Sequence, residues 1–314
     1  MFGEASLRLS SSVVYVTLEY ILGPQEMGEN KCDSETSSLK AEIRRLRESL
    51  TGLTAPLPAL LRRRGFRIYK KEPSDDLLVP KERFIDRYYL SLQRYSFRLF
   101  LRDVIKHQAG FSPKDVTRYA VADVTKEYID LLTSIGLLRK KGGSYSLRRQ
   151  PVKSFGPTLE WFLSEIFKRE FEAEAIWGIK FKRPAVGGDY DLIAKIDSSV
   201  LYMEIKSSPP KQIYAGEISA FLDRVIDLCP EMAIFFMDTE LRMKDKIVPM
   251  FEEEFLRRSD NGLATISAGD KISEIERIEK ELFHIQNKIF IINAKDSIVS
   301  NIEKVLGRYF RKRS

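Results

Sequence analysis

Acidic residues and a lysine occur inside two apolar runs that are joined by a turn at residues 187–208. The first run contains Asp189 and Asp191, and the second contains Glu204 and Lys206. Because side chains alternate along a strand, Asp189 and Asp191 are expected to share one face, as are Glu204 and Lys206. If the strands are neighbours, Asp191 and Glu204 converge at one end of the sheet beside Lys206. Carboxylate oxygens, a main-chain carbonyl and water are ligands that magnesium prefers.

The lysine of this cluster is open to two interpretations. Beside a metal site, a lysine can orient or deprotonate an attacking water, or stabilise charge on a phosphoryl oxygen. The simpler interpretation is a salt bridge from Lys206 to Asp191 or Glu204 at the solvated end of a sheet. The residue types alone leave both interpretations open.

The rest of the composition restricts the chemistry to carboxylates and lysine. The two histidines, His107 and His284, have no partners at metal-ligand spacing, which argues against histidine metal sites and catalytic triads. Cys32 and Cys229 lie far apart and form neither a disulfide framework nor a zinc pattern, which fits a reducing cytoplasm. The sequence contains no glycine-rich phosphate loop, so it does not indicate ATP-driven chemistry.

The acidic strands lie in a segment whose pattern predicts an α/β domain at residues 151–314, after a Pro/Gly-marked hinge at 150–160. Its order αβββαβ, extended by further α and β, predicts a central mixed sheet. The predicted elements are a helix at 158–171 with Thr158 as N-cap, strands at 173–184 and across 187–208, a helix at 214–228, a strand at 231–239, helices at 243–258 and 267–287, a strand at 288–295 and a helix at 297–314.

The N-terminal residues are predicted to contain little stable structure. Residues 1–37 are interpreted as a disordered extension, with Met27 as the hypothetical true start of translation. The apolar run at 11–23 is too short for a spanning helix and lacks the flanks of a signal peptide. We therefore expect a cytoplasmic protein with no membrane association.

A short coiled-coil-like helix and a basic linker are predicted at residues 38–82. The linker, at 54–80, is punctuated by prolines and gives weak structure signals. A seam at helical spacing runs along residues 38–53 and would favour a homodimer or packing on the rest of the chain. Its members are Leu39, Ile43, Leu46 and Leu50.

A helical segment with a basic hairpin is predicted at residues 83–150. Helices are expected at 83–108, from Ser112 as N-cap, and at 123–138, followed by a Gly-Gly turn between short basic strands at 139–149. This order resembles a winged helix-turn-helix, which implies a DNA-binding domain. The residues that would contact phosphate are Lys126, Arg139, Lys140, Lys141, Arg148 and Arg149.

Net charge follows the same division. Residues 1–150 hold 27 Lys+Arg and 18 Asp+Glu, a net charge of +9, whereas residues 151–314 hold 25 and 27, a net charge of −2. A basic half favours a polyanion such as nucleic acid as partner. The alternatives are a solvated basic edge and a winged helix that binds protein.

The paired motifs "GGDYDLIA" and "MEIKSS" resemble the PD-(D/E)xK nuclease superfamily, especially its restriction-endonuclease-like and archaeal Holliday-junction-resolvase-like branches. The resemblance covers residues 155–240 and implies a restriction-endonuclease-like core that binds Mg²⁺ or Mn²⁺. It assigns metal binding to Asp191, Glu204, the backbone carbonyl of Ile205 and Glu160, and a catalytic role to Lys206.

Three further positions have weaker assignments by the same resemblance. Glu165 is a rival to Glu160 on the same predicted helix, although it lies on a different face. Asp189 would support the site, and Gln212 matches a glutamine of some branches.

The sequence therefore predicts a metal-dependent DNA endonuclease that is targeted by a winged-helix domain. Its expected substrate is double-stranded or branched DNA. The alternative is a catalytically inactive nuclease fold that serves as a DNA-binding or regulatory protein.

Overall fold

The structure is a computed structural model of two compact units, Met1–Ala55 and Pro56–Ser314. The residues that it describes are 38–39, 41–43, 45–46, 55–72, 76–182, 186–260 and 274–313. Within the first unit, the described residues at 38–46 are helical, and Leu39, Ile43 and Leu46 are exposed. Leu50 and Met27 lie outside the described residues, so the coiled-coil seam and the translation start stay predictions.

The second unit contains both helices and strands. Its helices are α1 (Leu57–Arg63), α2 (Ile85–Leu92), α3 (Tyr95–Lys106), α4 (Ala122–Ser134), α5 (Gly156–Glu170), α6 (Ala215–Leu228), α7 (Ile247–Asp260) and α8 (Ile298–Arg313). Its strands are β1 (Ile68–Lys70), β2 (Leu138–Lys141), β3 (Ser144–Leu147), β4 (Glu174–Phe181), β5 (Tyr190–Ile196), β6 (Ser199–Lys206), β7 (Met232–Met237), β8 (Ile275–Glu279), β9 (Leu282–Ile285) and β10 (Ile289–Asn293). None of the helices in the described ranges is both long and apolar enough to cross a membrane.

A mixed sheet organises this unit, with the described strands in the order β1-β4-β5-β6-β7-β10-β9-β8. Strand β7 runs parallel to both of its neighbours, β6 and β10. The remaining neighbours are antiparallel. The succession α5, β4, β5, β6, α6, β7 has the predicted order, and the α/β class is confirmed.

The two faces of the sheet bury separate apolar cores. Leu192 and Met203 belong to the core that contains Phe162 of α5. Ile193 and Tyr202 belong to the opposite core, which contains Phe221 of α6. Since side chains alternate along β6, Glu204 shares the face of Tyr202 and is directed toward α6.

Helices that precede residue 150 pack directly against α5. The ring of Tyr88 stacks on Trp161 with centroids 6.0 Å apart, and Tyr89 contacts Phe162 at 5.6 Å. One apolar cluster thus continues from α2 and α3 into α5 and the sheet. The predicted domain boundary at 150/151 stays a prediction, because an apolar core that continues across it neither requires nor excludes two domains.

The basic hairpin forms as predicted. Strand β2 pairs with β3 in a register that sets Arg139 opposite Ser146 and Lys140 opposite Tyr145. The turn uses Gly142, whose φ of +60° is a left-handed value that glycine adopts at little cost. Phe111 forms a further antiparallel bridge to Tyr145, which ties the hairpin to the segment before α4.

The basic segment at 54–80 is more ordered than its sequence predicts. It contains α1 and β1, and β1 joins the edge of the sheet opposite Phe181 and Lys180 of β4. The prediction of weak structure was wrong because a three-residue strand is too short to show an alternating pattern.

The helix predicted at 267–287 was also wrong over its described residues, where the structure has the strand pair β8 and β9. Residues 267–273 lie outside the described part. The charged residues of β8 suit a helix by propensity, but β9 is fully buried and pairs with β10. Tertiary pairing has overridden local preference.

Three details of the predicted helices differ from the structure. The helix expected from Ser112 is only a short 3₁₀ turn, Pro113–Val116, with Ser112 at its N-cap. The helix at 83–108 is broken into α2 and α3, because the buried Arg98 guanidinium donates to the carbonyls of Leu92 and Gln93, at 2.6 and 3.1 Å. Thr158 is not an N-cap, since α5 begins at Gly156. Its hydroxyl oxygen instead accepts a hydrogen bond from the Leu78 N–H at 3.0 Å.

Candidate active site

The register of two neighbouring strands positions the acidic pair. Leu192 of β5 lies opposite Met203 of β6. One step further along the antiparallel ladder, Asp191 faces Glu204, and opposite residues of such a ladder project to the same face. Lys206 follows two residues after Glu204 and therefore shares that face.

Glu204 is almost fully buried, with 3% of its surface exposed, and both of its carboxylate oxygens contact neighbouring side chains. Its Oε1 lies 2.9 Å from the Lys206 Nζ, and its Oε2 accepts a hydrogen bond of 2.9 Å from Arg224 of α6. Tyr202 donates a further hydrogen bond to Oε2. The salt bridge that the sequence left open is thus formed between Lys206 and Glu204.

Asp191 is held by the backbone of the neighbouring strand. The Ile205 N–H donates to its Oδ2 at 2.7 Å. Burial raises the pKa of Asp191 well above its ordinary value, and the charges of Glu204 and Glu160 raise it further. The hydrogen bond from Ile205 and the charge of Lys206 oppose this increase without cancelling it.

Glu160 reaches the same cluster from α5. Burial, followed by the charges of Asp189 and Glu204, raises the pKa of Glu160 to about 8, against the opposing effect of Lys206. In both carboxyl groups, burial and repulsion between neighbouring acids raise the pKa by more than Lys206 lowers it. The pocket therefore favours an additional positive charge when both groups are ionised.

Lys206 remains a cation in this environment. Burial by itself would lower its pKa, but the ion pairs with Glu204 and with Glu217, at 2.9 and 3.0 Å, raise it overall. A lysine with a raised pKa donates hydrogen bonds and does not accept a proton at neutral pH.

The loop before β5 brings Asp189 and a glycine to the edge of the cluster. Asp189 forms an ion pair of 2.9 Å with Lys180 of β4 and is half exposed. Gly188 has a φ of +99°, and a Cβ there would lie 2.7 Å from the Arg224 guanidinium. Glycine suits this position because of its left-handed φ, whereas the Arg224 guanidinium is the flexible end of a side chain that can shift.

Two of the weaker predicted positions stand apart from this cluster. Glu165 pairs with Lys168 at 3.3 Å and with Arg169 at 2.9 Å on the surface of α5. Gln212 is exposed in the short turn Pro210–Gln212, and its role stays a prediction.

Three residues in the cluster escaped the sequence analysis: Tyr202, Glu217 and Arg224. A signal for them was present. Glu217 and Arg224 are seven residues apart, which is two helical turns, so they share one face of the predicted helix. Tyr202 precedes Glu204 by two residues and thus shares its strand face.

The carboxylates of the cluster are suitable ligands for a metal cation, although their present positions do not form a ready metal site. Over the described ranges, no three His, Cys, Asp or Glu side chains form a ready group for a metal ion. Both oxygens of Glu204 are already bound by Lys206, Arg224 and Tyr202. The carboxylates of Glu160, Asp191 and Glu204 nevertheless match the hard oxygen donors of Mg²⁺ and Mn²⁺.

The predicted phosphate-contacting residues are all exposed: Lys126, Arg139, Lys140, Lys141, Arg148 and Arg149. The hairpin carries Arg139, whose Nε donates to Ser146 at 3.0 Å, and Lys140, whose ammonium lies 5.7 Å from the Tyr145 ring centroid. Lys126 lies on α4. The hairpin thus presents a basic edge to solvent.

Comparisons with known proteins identify distant structural likenesses and no family. No family model and no curated protein matches the chain. It is similar to protein VC1899 from Vibrio cholerae, with 15% identity and a TM-score of 0.36 over 65% of this chain and 55% of that one. It is also similar to Can2 from Sulfobacillus thermosulfidooxidans in complex with cyclic tetra-adenylate, with 12% identity and a TM-score of 0.43 over 79% of this chain and 59% of that one. The chain thus spans less than two thirds of either structure.

Proposed function

We propose that the protein is a metal-dependent nuclease that hydrolyses phosphodiester bonds in DNA. The observation that carries this proposal is the pairing of Asp191 with Glu204 across two strands, next to Lys206. The raised pKa values of Asp191 and Glu160 support it, because they mark carboxyl groups that are buried close to other acids, where a bound cation would stabilise the ionised forms. The same residues carry the resemblance to the PD-(D/E)xK superfamily.

Each group of the cluster has a separate task in this proposal. Asp191, Glu204, Glu160 and the Ile205 carbonyl would hold Mg²⁺ or Mn²⁺. When bound, such an ion polarises a phosphoryl oxygen and lowers the pKa of a bound water. Lys206, held as a cation by Glu204 and Glu217, would donate to a phosphate oxygen and stabilise its developing charge.

DNA binding is assigned to the helical segment at 83–150, with its basic hairpin. Exposed Arg and Lys side chains on a hairpin can contact phosphates without reading sequence. This matches the winged-helix resemblance, in which a helix enters the major groove and the wing contacts the backbone.

Cleavage of DNA by the full-length protein tests the nuclease function. Duplex, flapped and branched DNA are incubated with Mg²⁺ or Mn²⁺ and the wild type, Asp191→Asn or Glu160→Gln. We expect cleavage by the wild type and loss in both variants. The matched control is Glu165→Gln, which removes a surface carboxylate from the same helix as Glu160. Equal cleavage by the wild type and Asp191→Asn would reject the mechanism.

A non-catalytic DNA-binding protein is the second candidate, and one observation favours it. Both oxygens of Glu204 are engaged by protein donors, with Arg224 and Lys206 supplying the charge that a metal would otherwise supply. In that case neither metal would raise the thermal stability of the wild type, and duplex DNA would be bound but not cleaved.

A further inference from the structure

A basic cleft lies at the opposite edge of β4 from β5, between α1 and β1. Its volume is about 480 Å³, and it is lined by Pro58, Arg62, Phe66, Arg67, Ile68 and Lys182. The three cations of this cleft are exposed. None of them forms an ion pair with any residue in the described ranges. The cleft therefore holds positive charge that no described part of the chain neutralises.

The backbone fixes these cations relative to each other. The Lys182 N–H donates to the Arg67 carbonyl at 2.9 Å, which continues the β1–β4 ladder beyond the pair Ile68 and Phe181. Arg62 lies in the last turn of α1, whose Leu57 and Leu61 are fully buried. The cleft is thus built on packed elements, and its charges project from an ordered surface.

Lys180 of β4 lies two residues before Lys182 of the cleft and on the side of the candidate active site. Lys180, opposite Lys70 in the register of β4 and β1, forms the 2.9 Å ion pair with Asp189. The charge of Asp189 in turn acts on Glu160. Tyr69, on β1, is 56% exposed and offers an aromatic ring at the same edge. Positive charge and an aromatic ring together suit a nucleic-acid backbone and its bases.

We propose that the cleft formed by Arg62, Arg67 and Lys182 binds the phosphate backbone of DNA and that edge strand β1 leads this DNA toward Asp189 and the acidic cluster. The inference rests on the proposed nuclease function and names a substrate-binding surface separate from the basic hairpin. Arginine suits the task because its guanidinium can donate two parallel hydrogen bonds to one phosphate. Cations that form no ion pair within the described ranges can bind phosphate without breaking a contact to that part of the chain.

The test is DNA affinity as a function of salt, measured with the full-length protein. A fluorescein-labelled duplex is titrated in chelator, so that no cleavage occurs. The variant Arg62→Ala/Arg67→Ala/Lys182→Ala is compared with a matched control, Lys244→Ala/Lys295→Ala/Lys312→Ala, which removes three exposed and scattered cations. Both variants change the net charge by the same amount.

The expected result is a change in the salt slope of the cleft variant alone. Log affinity falls as log salt rises, and each lost phosphate contact makes this slope less steep by about 0.9. Three lost contacts therefore reduce its steepness by about three. The single variant Arg67→Gln, at an exposed position, should lower it by about one. A wild-type slope in the cleft variants, or an equal decrease in the scattered control, would overturn the inference.

The cleavage assay separates this inference from the nuclease proposal. Suppose that the salt dependence of DNA binding is weaker in the cleft variant, while the wild type cleaves no DNA with either metal. The cleft is then supported as a DNA-binding surface, and the nuclease function is rejected. If wild-type cleavage depends on Asp191 but the cleft variant binds and cleaves like the wild type, the nuclease function stands and the surface fails.

Discussion

Arg98 and Asp238 form a fully buried ion pair, with the Arg98 Nε donating to Oδ1 at 2.8 Å, although they are 140 residues apart in the sequence. Arg102 donates to the other carboxylate oxygen of Asp238. The Asp238 N–H also donates to the Lys206 carbonyl at 2.8 Å. Helix α3 is thereby joined to the end of the sheet where the acidic cluster lies, so the helical segment and the candidate site share one anchor.

Removing the charge of Asp238 should strongly destabilise the protein. Asp238→Asn leaves the buried guanidinium of Arg98 without its counter-ion, and breaking a buried pair in this way costs about 3–5 kcal/mol. The free energy of unfolding is measured by urea titration. Glu72→Gln is the control, because Glu72 pairs with Lys71 at 3.7 Å on the surface, where a pair contributes about 0–1 kcal/mol. Equal losses in the two variants would contradict the anchoring role.

Stability without metal should decrease as pH rises, and Glu160 should account for part of the decrease. The pKa of Glu160 is raised from the ordinary glutamate value of 4.5 to about 8 in the folded chain. Between these values the folded state binds more protons than the unfolded state, so the free energy of unfolding decreases with pH. Above about pH 8 both states are ionised and the decrease from this group ends.

Urea unfolding of the wild type and Glu160→Gln in chelator, across this pH range, measures the effect. The glutamine variant should show a smaller decrease, because its side chain does not ionise. Glu165→Gln, a partly buried acid on α5 outside the cluster, should follow the wild type. Parallel curves for the wild type and Glu160→Gln would show that Glu160 is not the group that titrates.

The strands and their acids were predictable because their pattern is local. Alternation sets Glu204 and Lys206 on one face of β6, and the antiparallel pairing of β5 with β6 adds Asp191 to that face. Arg224 and Glu217 were not predicted because a helix must first dock on the sheet before its charges meet those of a strand. Strand β1 was missed because its three residues are too few to show alternation, and only its pairing with β4 makes it a strand.

Metal binding should stabilise the protein, and more strongly at higher pH. Metal ligands must be deprotonated, so protons compete with Mg²⁺ or Mn²⁺ at Asp191 and Glu160. A ligand at a hundredfold excess over its Kd stabilises the folded state by about 2.7 kcal/mol. Thermal melting with and without metal, at about pH 6 and about pH 8, measures this shift.

The Asp191→Asn variant separates site binding from general salt effects. It should lose the metal-dependent increase in melting temperature, whereas Asp223→Asn, an exposed acid on α6, should retain it. An unchanged melting temperature of the wild type with both metals would favour the non-catalytic candidate.

Lys206 should support the chemical step without being needed for DNA binding. Its pKa is raised by Glu204 and Glu217 despite burial, so it acts as a hydrogen-bond donor and not as a base. Removing one such donor to developing charge costs about 10²–10³ in kcat. Lys206→Ala should lose activity to this extent, with duplex affinity close to that of the wild type.

Two comparisons make the prediction for Lys206 specific. Lys211→Ala removes an exposed lysine from the turn after β6 and should keep full activity. Lys206→Arg keeps the charge and should recover part of the loss, because a donor that remains protonated is all that the proposed role requires. If Lys206 were instead a base, arginine would be as inactive as alanine, since guanidinium does not lose its proton in proteins. Single-turnover cleavage rates of the three variants decide between these roles.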